Sequence, residues 1–171
     1  RKLGNTDIKL TSIGFGGAPI GNLFEQLNEY DCYEIIKKSY ESKLNYFDTA
    51  PLYGYGLSEH RIGNFLKTVD PNSYYISTKV GRYLTPERNY REQQGKFVGN
   101  FNFIPNIDYS YDGVMRSFDQ SVHRLGVSKI DICLIHDVDK KNFGKDVSHY
   151  FKLAMKGAYK ALKKIKEQKL I

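Results

Sequence analysis

Four polar side chains stand where they could converge on one carbonyl: Asp48, Tyr53 five positions later, Lys79 and His136. Reducing a carbonyl requires a proton delivered to its oxygen, and the reverse reaction requires that proton removed. A free tyrosine, with a pKa of about 10, is a poor base at neutral pH. A lysine cation beside it favours the phenolate and lowers that pKa. A carboxylate next to the lysine holds it charged and in place, and a neutral imidazole can orient the substrate oxygen and donate to developing negative charge. These residue types therefore suit Tyr53 as general acid/base, Lys79 as its modulator, Asp48 as the partner of Lys79 and His136 as the carbonyl-orienting group. Each also has a plainer use. Asp48 could cap a turn, Tyr53 is one of 14 tyrosines with Tyr55 as a rival two residues on, and His136 could be a satisfied structural histidine. Lys79, at the end of an apolar run, is less easily explained that way, because buried lysines are rare unless paired.

The runs that must position these groups are short and apolar: 12–17, 45–49, 74–80 and 130–136. Continuous apolar runs of this length read as buried parallel strands. Helical spacing lies between them, in Tyr33, Ile36, Lys37, Tyr40 and Leu44, and again in Val114, Phe118, Ser121, Val122 and Leu125. Strands alternating with helices imply βαβ units and a parallel sheet. Right-handed crossovers put every strand C-terminus on one side. Asp48, Lys79 and His136 then share a face, with Tyr53 on the loop above, which is where a parallel α/β barrel keeps its chemistry.

The run Asp48-Thr49-Ala50-Pro51-Leu52-Tyr53-Gly54, with Ser58-Glu59 and Ile62-Gly63, resembles the signature of the aldo-keto reductases. So do Ile76-Ser77-Thr78-Lys79-Val80-Gly81, the stretch from Arg116-Ser117-Phe118 to Arg124-Leu125-Gly126, and Asp131-Ile132-Cys133-Leu134-Ile135-His136-Asp137. The opening Leu3-Gly4-Asn5-Thr6 and Leu10–Gly16 fit the start of that family. The likeness runs from Lys2 to Ile171 and is weakest between Tyr83 and Asn106. The His136-Asp137 step and the Ile107-Asp108-Tyr109-Ser110 lead-in are similar to a group holding the D-threo-aldose (L-fucose), pyridoxal and L-galactose dehydrogenases. The resemblance implies a (β/α)8 barrel and a hydride carried by NADP or NAD. It also implies Asp48, Tyr53, Lys79 and His136 as catalytic residues, and Gly16, Gly17, Ala18 and Asp48 near the nicotinamide. The glycines alone do not say so: Gly14-Phe15-Gly16-Gly17 lacks the G-x-G-x-x-G spacing and reads equally as a tight βα turn. The expected reaction is hydride exchange between nicotinamide and an aldehyde, aldose or alcohol carbon. The alternatives are a non-catalytic nicotinamide-binding subunit of the same family, or an inactive fragment.

Length bears on this. A (β/α)8 barrel needs about 250 residues, with about 200 as a lower limit, and this chain has 171 and opens on Arg1. We expect one domain over 1–171, the first four βα units of a barrel cut at both ends. It would be inactive alone, with its first and fourth strands unpartnered and prone to self-association. Residues 1–10 read as a hairpin that plugs the barrel bottom in the family, turning at Gly4-Asn5-Thr6-Asp7. Residues 83–106 read as a long loop without regular pattern on the active-site face. Its aromatics Tyr83, Tyr90, Phe97, Phe101 and Phe103 suit stacking on a sugar or pyridine ring, as a lid or wall, though the loop could equally have no substrate role.

The net charge of +7 invites a nucleic-acid reading. Seven lysines against one acid, Glu167, in 152–169 supply +6 of it. That is the wet face of one amphipathic helix whose apolar face is Leu153, Met155, Ala158, Leu162 and Ile165. No nucleic-acid or membrane partner is expected, only a small carbonyl or sugar substrate. Two cysteines, Cys32 opening a helix and Cys133 in the most apolar strand, are no disulfide framework and fit a reducing cytoplasm. His60, His123, His136 and His149 are scattered and suggest no metal. No apolar stretch reaches the roughly 18 residues of a membrane span.

Overall fold

The computed structural model describes residues 1–89 and 91–171. Its chain order is β1 (Phe15–Gly16), α1 (Glu29–Glu41), β2 (Tyr46–Asp48), α2 (Leu57–Leu66), β3 (Tyr75–Val80), β4 (Arg82–Pro86), β5 (Gln93–Gln94), β6 (Phe97–Val98), β7 (Phe103–Ile107), α3 (Tyr111–Leu125), β8 (Ile132–Ile135), α4 (Lys140–Phe143), α5 (Val147–Lys156) and α6 (Ala158–Glu167). β1, β2, β3 and β8 form one sheet in that order, every pair parallel. This is the open arc of a partial (β/α)8 barrel, four strands wide. Within the described residues β1 and β8 are its edges.

The outer face of the arc packs on the helices. Phe47, Ile76 and Val80 from the strands meet Ile62, Phe65, Val114 and Leu125 from α2 and α3, all at most 3% exposed. The helices start where the sequence supplies side-chain acceptors: Asn28 takes the N–H of Asp31 for α1, and Ser110 takes that of Gly113 for α3. Between α2 and β3 lies a fully buried Glu59, which accepts from Arg124 Nε at 2.6 Å and from Thr78 Oγ1 at 2.7 Å. A buried carboxylate survives because both oxygens are bonded and its charge is paired. It ties α2 to α3 and to the strand that carries Lys79. Side chains alternate across a strand, so Tyr46 and Asp48 of β2, and Ser77 and Lys79 of β3, point to the opposite, interior face.

Two expectations need correction. Residues 83–106 are not without regular pattern: β4 pairs antiparallel with β7, and β5 with β6 nearer the tip. This double hairpin is tied to the loop after β1, through Phe24 N–H to Lys96 O at 2.8 Å and Val98 N–H to Asn22 O at 3.1 Å. Its aromatics have protein partners. Phe97 packs with Tyr55 and Leu84, with Phe103 against the same cluster; Phe101 stacks edge-on to His60; and Tyr83 lies under Arg116. Tyr90 lies outside the described residues. The lysine-rich segment is two helices, α5 and α6, parted at Gly157. A side chain there would drive a Cβ to 2.2 Å from the Tyr109 carbonyl oxygen, so the close approach of two backbones sets the break. The buried stripe nonetheless runs on across the break, at i, i+4, i+7 and i+11. Ala154, Ala158, Ala161 and Ile165 are buried, whereas Leu153 and Met155, expected on the apolar face, are exposed. Cys133, opposite Thr78 in register on the outer face, packs against the core, and burial pushes its thiol up to about 12.

At the N-terminus, Lys2 and Lys9 form an antiparallel bridge, with Leu3 N–H on Ile8 O at 2.9 Å and the turn at 4–7. Thr11 N–H binds Asn45 Oδ1 at 2.8 Å, anchoring this reversal beside the start of β2.

Candidate active site

The interior face of the arc carries a linked row of polar groups. Lys79 Nζ lies 2.8 Å from Asp48 Oδ2 and donates also to the Thr49 carbonyl at 2.8 Å. The other Asp48 oxygen, Oδ1, accepts from Ser77 Oγ at 2.5 Å. Since the Ser77 proton is spent there, the Tyr46 hydroxyl 3.0 Å from Ser77 Oγ must be the donor in that contact. Adjacent parallel strands produce this row directly: Asp48 stands opposite Ser77 in register, and Lys79 is two residues further on the same face.

Tyr53 comes from the loop after β2. That loop is a chain of tight turns, with Tyr53 N–H on Ala50 O at 3.0 Å and Ser58 N–H returning to Tyr53 O at 3.2 Å. They bring the ring over the lysine, with Lys79 Nζ 4.7 Å from its centroid. A cation this close to an aromatic face is attracted to it. His136 follows β8, where its N–H on Val80 O at 3.0 Å extends the sheet by one bond. Its ring meets Tyr53 edge-on, centroids 6.1 Å apart. The structure thus brings Asp48, Tyr53, Lys79 and His136 together. The rival Tyr55 points away: its hydroxyl donates to Gln94 O at 3.1 Å inside the Leu84–Phe97 cluster.

Burial pulls the Lys79 pKa down, but the hydrogen bond and charge of Asp48, followed by Tyr53, outweigh it and hold the ammonium above its ordinary range. Lys79 is a fixed cation at neutral pH. His136, 4% exposed, goes the other way. Burial, with Arg82 and Lys79 adding to it against the charge of Asp137, pushes its pKa down to about 4. It is a neutral imidazole at pH 7, able to donate one N–H without carrying charge.

Gly16, Gly17 and Ala18 follow β1 beside Asp48. Gly16 stands opposite Asp48 in register, and Gly17 N–H donates to Asp48 O at 2.7 Å. No atom lies within 4 Å of where a Cβ on Gly16 would project. The interior there is a flat backbone floor next to the carboxylate, suited to the close approach of a planar ring. Among the described residues no three His, Cys, Asp or Glu side chains are gathered to hold a metal ion, and no helix is long and apolar enough to cross a membrane.

Sequence reasoning overlooked four contributors. Ser77 and Tyr46 bind the Asp48 end of the row, and the two-residue spacing of Ser77 from Lys79 was a signal for the first. Tyr109 donates from Oη to the His136 carbonyl at 2.5 Å, a contact across 27 residues that no local pattern announces. Arg82, buried at 8% exposure, faces Asp137 at 3.7 Å from Nη2 to Oδ2.

Residues 12–169 match the model of the Aldo/keto reductase family. Pyridoxal 4-dehydrogenase of Microbacterium luteolum is 37% identical over 176 residues, which is 97% of this chain and 51% of that protein. D-threo-aldose 1-dehydrogenase of Pseudomonas sp is 31% identical, covering 96% and 49%. L-galactose dehydrogenase of Arabidopsis thaliana is 33% identical, covering 86% and 41%. The chain spans about half the length of these curated relatives. The solved structure of glycerol dehydrogenase AKR11B4 from Gluconobacter oxydans superposes with a TM-score of 0.62 at 26% identity, over 82% of this chain and 39% of that one.

Proposed function

The chain belongs to the aldo/keto reductase family, and on that premise we propose that it carries the acid–base half of a nicotinamide-dependent oxidoreductase acting on an aldehyde, aldose or alcohol carbon. One observation supports the reading above the rest: Lys79, held charged by Asp48 at 2.8 Å, lies under the Tyr53 ring with neutral His136 across from it.

Tyr53 gives a proton to the carbonyl oxygen in reduction and takes it back in oxidation. Lys79 stabilises the phenolate left behind, because an adjacent cation favours the charged form of the acid. Asp48 keeps that cation in place, and Ser77 and Tyr46 keep Asp48 in place. His136 donates to the substrate oxygen and holds it toward Tyr53; a neutral donor there strengthens as negative charge develops. A nicotinamide from NADP or NAD, lying on Gly16 with Gly17, Ala18 and Asp48 around it, would supply or accept the hydride. The pyridoxal and sugar dehydrogenases among the relatives favour a polar, ring-shaped or hydroxylated substrate. We place it in the cytoplasm, in keeping with its two free cysteines.

Tyr53→Phe removes the acid/base oxygen and almost no volume. In the native full-length protein, assayed with NADH or NADPH and a panel of aldehydes, aldoses and alcohols, we expect kcat to fall by about 10²-fold or more with cofactor binding retained. Turnover within about tenfold of wild type would remove Tyr53 from the role. Cofactor binding without turnover in the unmutated protein would identify a non-catalytic binding subunit.

A further inference from the structure

Asp137, one residue beyond His136, has a left-handed backbone with φ of +46°. That region is uncommon outside glycine, though aspartate is among the residues that tolerate it, and an observed outlier is grounds for asking what it accomplishes. Here it folds the carboxylate back beside the preceding ring. Asp137 Oδ2 lies 3.4 Å from His136 Nε2 and 3.7 Å from Arg82 Nη2. Both neighbours are more than nine-tenths buried. Among their polar atoms His136 Nδ1, Arg82 Nε and Arg82 Nη2 have no hydrogen-bond partner. Buried polar atoms are ordinarily satisfied, so three orphans on the two residues that flank one carboxylate call for an explanation.

A neutral imidazole carries one ring proton. On Nδ1 it would be a buried N–H with no acceptor, and the bare Nε2 lone pair would face a carboxylate. On Nε2 it points at that carboxylate, and only an acceptor lone pair is left over at Nδ1. We propose that Asp137, held by Arg82 and by its left-handed turn, is a positioning residue that keeps the His136 proton on Nε2. At 3.4 Å the carboxylate is beyond the usual N–H···O range. It orients the proton without consuming it, and an incoming oxygen at ordinary hydrogen-bond distance takes the donor over. The Tyr109 hydroxyl holds the His136 carbonyl from the other side, so chain and charge together aim one ring. That the ring meets a substrate oxygen rests on the function proposed above; the tautomer does not.

The test is long-range proton–nitrogen correlation NMR at pH 7 on the full-length protein labelled with ¹⁵N-histidine, His136 being assigned by His136→Gln. In the unmutated protein the proton is expected on Nε2. Asp137→Gly removes the carboxylate while accepting the left-handed backbone. It is expected to lower the ratio of Nε2–H to Nδ1–H at least about tenfold, the equivalent of one pKa unit of lost interaction. His60, His123 and His149 should keep their signals, reporting an intact fold. If that variant loses those signals, Asp137→Asn, which removes the charge at nearly constant shape, must shift the ratio in the same direction. A proton on Nδ1 in the unmutated protein, or an unchanged ratio in the folded variant, overturns the proposal. Neither turnover nor cofactor enters the measurement, so this idea and the Tyr53 assignment fail separately.

Discussion

Burial disfavours the charged form of both cations that could sit in this site, and their partners make the outcomes opposite. Lys79 has a carboxylate at 2.8 Å and stays charged; His136 has only the looser Asp137 and gives its charge up. Partner distance decides between them, since an ion inside a protein is tolerated when a counter-charge is in contact. The His136 case has a consequence for stability. Its folded pKa of about 4 lies below the unfolded value of 6.5. Between those values the unfolded chain binds more protons, so stability is full above pH 6.5 and is lost as pH falls toward 4. The loss is on the order of 2–3 kcal/mol. Urea unfolding at pH 7 and pH 4.5 should show a smaller acid-induced drop in His136→Gln, which cannot take up the proton, than in the unmutated protein. An equal drop in both would mean that His136 is not held neutral.

Among the elements, the turn from β3 into β4 is the one on which the histidine depends. Gly81 has φ of +98°, and a Cβ there would stand 2.3 Å from the Tyr109 ring. That ring is 2% exposed and pinned by its hydroxyl to the His136 carbonyl, so it cannot yield. Gly81→Ala should therefore combine left-handed strain with overpacking, costing about 2–4 kcal/mol. Gly126→Ala, at φ of +64° with nothing within 4 Å, should cost about 1–2 kcal/mol from strain alone. Denaturant midpoints of the two variants compare them directly. Near-equal losses would show that the Tyr109 ring is free to move.

For the molecule as a whole, the open arc is the dominant liability. Leu134, opposite Lys79 in register on the interior face of the arc, is 43% exposed, and within the described residues β1 and β8 have one strand neighbour each. An unpaired apolar strand edge templates pairing with another chain. The 171-residue chain should self-associate in light scattering, and Leu134→Lys should reduce that association by putting a charge on the exposed interior face of the edge strand. A monodisperse monomer that melts cooperatively would refute this.

Much of this was legible in the chain itself. Apolar runs separated by helical spacing determined four parallel βα units, and strand C-termini on one side determined that Asp48, Lys79 and His136 share a face. These depend on local periodicity and on chirality, which any stretch of sequence carries. Tertiary structure alone decided the rest. The regular pairing inside 82–107 joins β4 to β7 across the β5–β6 tip, and it is held from outside by Gln120 of α3 on Leu84 and by the loop after β1 at the tip. The break at Gly157 comes from a backbone 47 residues earlier, since the Tyr109–Ser110 chain passes there. The exposure of Leu134 comes from the open interior face of the arc. Of the two tyrosines in the active-site loop, the sequence offered both; the turns that lay Tyr53 over Lys79, and the cluster that takes Tyr55 away, made the choice. Arg82, Asp137 and Tyr109 gather around His136 through contacts between segments far apart in sequence. Side-chain contacts of that kind have no period, so only the folded chain reveals them.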